Sequence, residues 1–318
     1  VLTGAAGLAG CAAIPPVRLI GEPAPIRDGL FAMADGERLP FRAWLPQGRV
    51  EAVMLALHGF GDSRDAFELP APVFAAAGVA VYAPDQRGFG QTALRGRWAG
   101  AAVMTEDAAA MLRQIAAWHP DPPRYVLGES MGGAVAMRLA ARVRPAVAGY
   151  VLVSPAVWGR VTMSWFLRGG LWLLSHGLPG VTLTDGGPVR VRASDNIEAL
   201  RRLSRDPLTV HGTRFDTLRG LVDLMDDALA AAPVMPPWTL AMYGGHDEVI
   251  PPEATAAMWR RLPPPPAAWR AFYPGAYHLM LRDLGRAVPI GDILRWMREP
   301  TAPFPAAAAA ASWLARQP

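Results

Sequence analysis

The chain has 318 residues and is 52% hydrophobic, enough to bury one large core and an ordinary length for an α/β sheet that carries an insertion. Its 31 basic residues are all arginine and stand against 27 acidic ones, but they are spread along the chain with no basic run, so the charge reads as solvated surface and not as a nucleic-acid interface. The six histidines fall into no H-x-H, H-E-x-x-H or Cys/His pattern and no glycine-rich phosphate loop is present, so no cofactor is expected.

Leu8-Ala9-Gly10-Cys11, after a run of small and apolar residues and before the Pro-containing stretch Ala12 to Pro25, resembles a bacterial lipobox. On that reading Cys11 is the first residue of the mature protein and carries a lipid. The protein is then expected at the membrane surface of the cell envelope, and otherwise in the cytoplasm. Cys11 is the only cysteine and has no internal disulfide partner. Residues 1–25 are expected to lie outside the fold.

The first folded elements are an expected antiparallel edge pair, Gly29 to Met33 and Leu39 to Leu45. Val53 to Leu57 reads as a buried strand and runs into His58-Gly59-Phe60-Gly61-Asp62. Val79 to Ala83 is the next strand, followed by the tight turn Asp85-Gln86-Arg87-Gly88-Phe89-Gly90, and Thr105 to Trp118 reads as a helix.

Tyr125 to Gly128 is a short apolar strand, Ala134 to Arg144 a good helix former, and between them stands Gly128-Glu129-Ser130-Met131-Gly132-Gly133. This is a G-x-S-x-G elbow in the strand-turn-helix setting that the motif requires. The glycines let the backbone turn so that the Ser130 hydroxyl projects from the end of a sheet. Met131 begins the helix, so its N–H and the helix dipole face developing negative charge.

After the strand Tyr150 to Val153 the alternation of strand and helix stops for about eighty residues, too many for a plain loop, and residues 155–235 are expected to form a cap. Val161 to Leu178 is apolar nearly all round, interrupted by Arg168-Gly169-Gly170, and too short to span a bilayer, which takes about twenty apolar residues. Two accounts stand for it, a packed cap core and a lipid-facing portal. Asp195 to Arg205 follows as a helix with Asp195 and Glu198 as its capping box.

Two further strands, Trp238 to Tyr243 and Trp269 to Tyr273, end in Gly244-Gly245-His246-Asp247-Glu248 and Pro274-Gly275-Ala276-Tyr277-His278. A serine hydroxyl is a weak nucleophile until a base takes its proton and a third group orients the base. Ser130, Asp247 and His278 supply those groups at three strand ends, in the chain order of one hydrolase architecture and not of the two protease orders. The oxyanion donors are expected to be the backbone N–H groups of Phe60 and Met131. His58 reads as a loop-holding residue; His246 and His119 have no assigned chemistry, and Glu248 is the nearby substitute for Asp247. The tail, 300–318, holds a six-alanine run that is helical or disordered on this reading.

The segments HGFGDS, APDQRGFGQT, GESMGG, GGHDEVIP and YPGAYHLML resemble those of the α/β-hydrolase superfamily, most closely its monoacylglycerol lipase and lysophospholipase branch. The resemblance covers about residues 29–298 and departs from familiar members at Glu129, where histidine is common, and at Phe60, where a smaller residue is frequent. It implies an α/β-hydrolase fold, a mostly parallel sheet with helices on both faces, with a core at 26–154 and 236–299 and a helical cap at 155–235. It further implies Ser130 as nucleophile, Asp247 as orienting acid, His278 as base, and a monoacyl lipid or related ester as substrate, with the cap a second point of contact with membrane. Alternatives on the same fold are a serine peptidase of prolyl-aminopeptidase type and a catalytically silent binding protein.

Overall fold

The computed structural model describes residues 24–184 and 191–318. Cys11 lies outside the described residues. The described residues begin at Ala24 and lead into the hairpin β1 (Ile26–Ala32) and β2 (Arg38–Trp44), then the buried strand β3 (Ala52–Leu57). Next come α1 (Ala71–Ala76), β4 (Val79–Pro84), α2 (Ala101–Trp118), β5 (Arg124–Glu129), α3 (Met131–Arg142) and β6 (Gly149–Val153). The insertion then carries α4 (Trp165–Gly177), β7 (Thr182–Thr184), α5 (Ile197–Arg205), β8 (Gly212–Arg214) and α6 (Phe215–Ala231). β9 (Thr239–Gly244), α7 (Pro252–Arg261), β10 (Ala268–Tyr273), α8 (Ala287–Arg298) and α9 (Pro305–Ala315) follow the insertion.

Eight strands form one sheet in the order β1-β2-β4-β3-β5-β6-β9-β10. The pairs β1/β2 and β2/β4 are antiparallel, and the others are parallel. Strands β3, β4, β6 and β9 are buried at every position, as parallel strands covered on both faces must be. Alternate residues feed opposite cores: Val53, Leu55 and Leu57 join α2, α3 and α6 on one face, while Met54 and Ala56 join α1 and α8 on the other. The strand order reverses on either side of β3, since β4 lies to one side and β5 to the other. The carboxyl ends of β3 and β5 therefore border the crevice where an open α/β sheet binds its ligand.

Several boundaries differ from the sequence-based expectation, each for a local reason. The helix α2 starts four residues before Thr105, whose hydroxyl donates back to the Ala101 carbonyl at 2.7 Å and so sits inside the first turns. Asp195 does not cap α5: its carboxylate accepts the Leu284 N–H at 2.8 Å, and Asn196 takes over by accepting the Ala199 N–H at 3.2 Å. Arg168-Gly169-Gly170 does not interrupt α4, because glycine weakens a helix by only about 1 kcal/mol and leaves its hydrogen bonds intact. Ala24 and Pro25 belong to the fold: Ala24 packs on a core and the Pro25 carbonyl accepts the Leu45 N–H at 3.0 Å.

The alanine run of the tail is the helix α9. Proline at its first turn starts it without losing a needed N–H, and its Trp313 is 7% exposed, stacked on Phe272 at 5.2 Å and edge-on to Trp259 at 5.1 Å. Small side chains let this helix lie close against β10.

Candidate active site

Ser130 occupies the corner between β5 and α3 with φ 53° and ψ −116°, a left-handed conformation that a side chain with a Cβ rarely adopts. The backbone around it over-determines that strain. The Ser130 N–H donates to the Val153 carbonyl at 2.9 Å, and its own carbonyl accepts from Ala134 at 3.1 Å and from Ala156 at 2.9 Å. Among the described residues the Ser130 hydroxyl makes no hydrogen bond, to His278 or to any other group.

The loops after β9 and β10 meet across the top of the sheet. His278 Nδ1 lies 2.8 Å from Asp247 Oδ2, with the His278 side chain 5% exposed and that of Asp247 fully buried. The other Asp247 oxygen accepts the N–H groups of Val249 at 2.8 Å and Ile250 at 2.9 Å, so the carboxylate cannot swing away. With a carboxylate on Nδ1, the ring proton sits on that nitrogen, and Nε2 is left as the proton acceptor.

The loop expected to supply an oxyanion donor follows β3. Gly59 faces Ser130 so closely that a Cβ built on it would stand 3.4 Å from Ser130 Cβ. The backbone N–H groups of Phe60 and Met131 donate to no protein acceptor among the described residues, as free donors must. The Phe60 ring stands edge-on to Phe89 at 5.3 Å.

His58 is fully buried and holds this loop. Its Nδ1 donates to the Gly59 carbonyl at 2.7 Å, its Nε2 accepts the Gln86 N–H at 3.0 Å, and the Gln86 amide donates to the His58 carbonyl at 2.7 Å. Burial pushes its pKa down, so it is neutral and both nitrogens are spoken for. The turn after β4 is thus a buttress. Glu248 is occupied elsewhere, accepting the Arg192 N–H at 2.7 Å. The ring of His246 packs edge-on to Tyr277 at 5.1 Å, and His119 bonds the Tyr82 hydroxyl at 2.8 Å.

A buried ionic cluster behind Ser130 had no counterpart in the sequence reading. Arg282 Nη2 bonds both Asp62 and, at 2.8 Å, Glu129 Oε1, and all three side chains are at most 7% exposed. Burial drives the Glu129 pKa up, against the opposing pull of the Arg282 charge. Burial opposes the charge of Arg282 too, but Asp62 and Glu129 override it and hold its pKa above the ordinary arginine value. Two signals for it stand in the sequence: glutamate at 129, where histidine is common, and an arginine in the apolar run that follows His278.

Comparison with known proteins bears on the family and the fold. A family model described as "Serine aminopeptidase, S33" matches residues 48–285. The chain is 27% identical over 269 residues to a monoacylglycerol lipase of Mycolicibacterium smegmatis, covering 84% of this chain and 95% of that protein. It is 26% identical over 255 residues to a monoglyceride lipase of Rattus norvegicus, covering 79% and 83% respectively. Among solved structures, a soluble variant of monoglyceride lipase from Saccharomyces cerevisiae superposes with a TM-score of 0.72 at 19% identity, over 92% of this chain and all of that one. The monoacylglycerol lipase of Paleococcus ferrophilus gives 0.66 at 20% identity, over 87% and 99%. At those identities the structural likeness establishes the fold.

Proposed function

The chain belongs to the serine aminopeptidase S33 family of α/β-hydrolases, and on that footing we propose that it hydrolyses carboxylic esters of monoacyl lipids through an acyl-enzyme. The observation that carries this reading is the Asp247–His278 hydrogen bond at the ends of β9 and β10, with Ser130 on the elbow after β5. The His278 imidazole accepts the proton of Ser130 as its oxygen attacks the ester carbonyl. The N–H groups of Phe60 and Met131 receive the developing oxyanion, each such donor contributing about a hundred- to a thousandfold in turnover. His278 then gives its proton to the leaving alcohol, and a water activated by the same imidazole releases the fatty acid. Asp247 keeps the ring in the useful tautomer throughout.

The lipases among its relatives support a monoacyl lipid as substrate, and the surface of the insertion supports it independently. Helix α4 leaves Trp165, Phe166, Trp172 and Leu173 between 62% and 68% exposed, with only Ser175 of the helix buried. Such an apolar face fits a lipid interface, where the helix lies in the plane of the surface. No helix among the described residues is long and apolar enough to cross a membrane. The lipobox-like Leu8-Ala9-Gly10-Cys11 supports a second attachment, a lipid on Cys11 that places the protein in the cell envelope.

Hydrolysis of 4-nitrophenyl esters from short to long chain, beside a monoacylglycerol and an aminoacyl amide, tests the reading. Turnover of the longer acyl esters and the monoacylglycerol, abolished in Ser130→Ala, is the expected result. Preference for the amide would replace the lipase reading by a peptidase. Membrane fractionation of Cys11→Ser, compared with the unaltered chain in a bacterial host, tests the anchor.

A further inference from the structure

Burying two carboxylates with a single guanidinium is a poor way to stabilise a fold, because the cost of desolvating ions can exceed what their attraction returns. Glu129 Oε2 and Arg282 Nε are also buried with no hydrogen-bond partner among the described residues. Yet the three residues come from the three segments that must be registered for catalysis. Asp62 lies two residues after Phe60, in the turn closed by its N–H to the Gly59 carbonyl. Glu129 directly precedes Ser130. Arg282 lies four residues after His278, in a turn closed by its N–H to the Leu279 carbonyl at 2.8 Å.

We propose that Arg282 is a positioning residue which, through Asp62 and Glu129, holds the oxyanion loop, the nucleophile elbow and the histidine loop in one register for the acylation step. One nitrogen of one guanidinium reaches both acids, so movement of any of the three segments breaks a charge-assisted bond between buried side chains. The turn that presents Arg282 is itself anchored from the insertion. The Asn196 amide donates to the Arg282 carbonyl at 2.9 Å, the Ser194 hydroxyl to Asp283 at 2.6 Å, and the Leu279 N–H to the Ala193 carbonyl at 2.8 Å. The same turn therefore couples the catalytic loops to the segment that enters α5.

The inference rests on the serine-hydrolase reading above, and the test separates the two. The rate of covalent labelling by a fluorophosphonate reports the alignment of nucleophile, base and oxyanion donors directly. It is measured with kcat, KM and the thermal midpoint for the full chain and for Arg282→Met, Arg282→Lys and Glu129→Gln. Arg282→Met is expected to slow labelling and kcat by about tenfold or more while KM moves less than about threefold, as a misplacement of reacting groups does. Arg282→Lys restores the charge without the planar fork and is expected to recover part of that loss. Glu129→Gln, which keeps the shape and removes one buried charge, is expected to slow labelling with the thermal midpoint kept. If Arg282→Met does not fold, Glu129→Gln decides alone. Folded variants that label at the rate of the unaltered chain, or that lose only thermal midpoint, overturn the positioning role. An unaltered chain that is not labelled at all would sink the serine-hydrolase reading instead.

Discussion

Gly132, in the first turn of α3, lies so close to the end of β3 that a Cβ built on it would stand 2.1 Å from the Leu57 carbonyl oxygen. The helix that begins after Ser130 is thus seated on the strand that runs into the His58–Asp62 loop, with no room for a side chain between them. Gly132→Ala is expected to force the two apart, costing about 1–3 kcal/mol of stability and about a hundredfold in turnover. Urea unfolding and esterase kinetics on the purified variant check both.

Asp247→Asn keeps one oxygen for the Val249 and Ile250 N–H groups but turns an amide N–H toward His278 Nδ1. That reverses the ring tautomer and puts the proton on Nε2, where the lone pair is needed. The loop should stay folded while kcat falls by about ten-thousandfold. Circular dichroism beside ester hydrolysis distinguishes this from unfolding.

The burial of His58 carries a pH dependence whose sign is fixed. Its folded-state pKa lies below the ordinary 6.5, so below that pH the unfolded chain binds a proton that the folded one refuses. Stability is therefore complete above about pH 6.5 and falls by at most about 1.4 kcal/mol per pH unit as the pH drops toward the folded pKa. Denaturant midpoints from pH 7.5 down to 5 should decline more steeply in the unaltered chain than in His58→Gln.

The exposed aromatics of α4 contribute little to packing, so Trp165→Ser with Trp172→Ser should shift stability by no more than about 0.5 kcal/mol each. Binding to phospholipid vesicles, read by co-sedimentation, should fall markedly in the double variant. Undiminished sedimentation would show that α4 is not the surface that meets lipid.

Much of the site was legible because its chemistry is local. The strand-turn-helix setting of Ser130 and the two polar residues at later strand ends are properties of short segments, and the alternation of strands and helices arranges such ends on one edge of a sheet. The cap helix was legible as apolar but not as exposed, since a hydrophobic run does not state which of its faces finds a partner. The same holds for α9. Six alanines specify a helix former, but only the docking of Trp313 between Phe272 and Trp259 makes it part of the core.

By itself the sequence determined the element types, the elbow at Ser130 and the order of Ser130, Asp247 and His278, because periodicity and turn chemistry act over a few residues. Only the tertiary structure decided that Asn196 and not Asp195 caps α5, that His58 props the oxyanion loop against Gln86, and that Arg282 ties Asp62 to Glu129. Each of those choices pairs groups that lie far apart in the chain. A buried polar group takes whichever partner the packed fold brings within about 3 Å, and no local pattern encodes that neighbour.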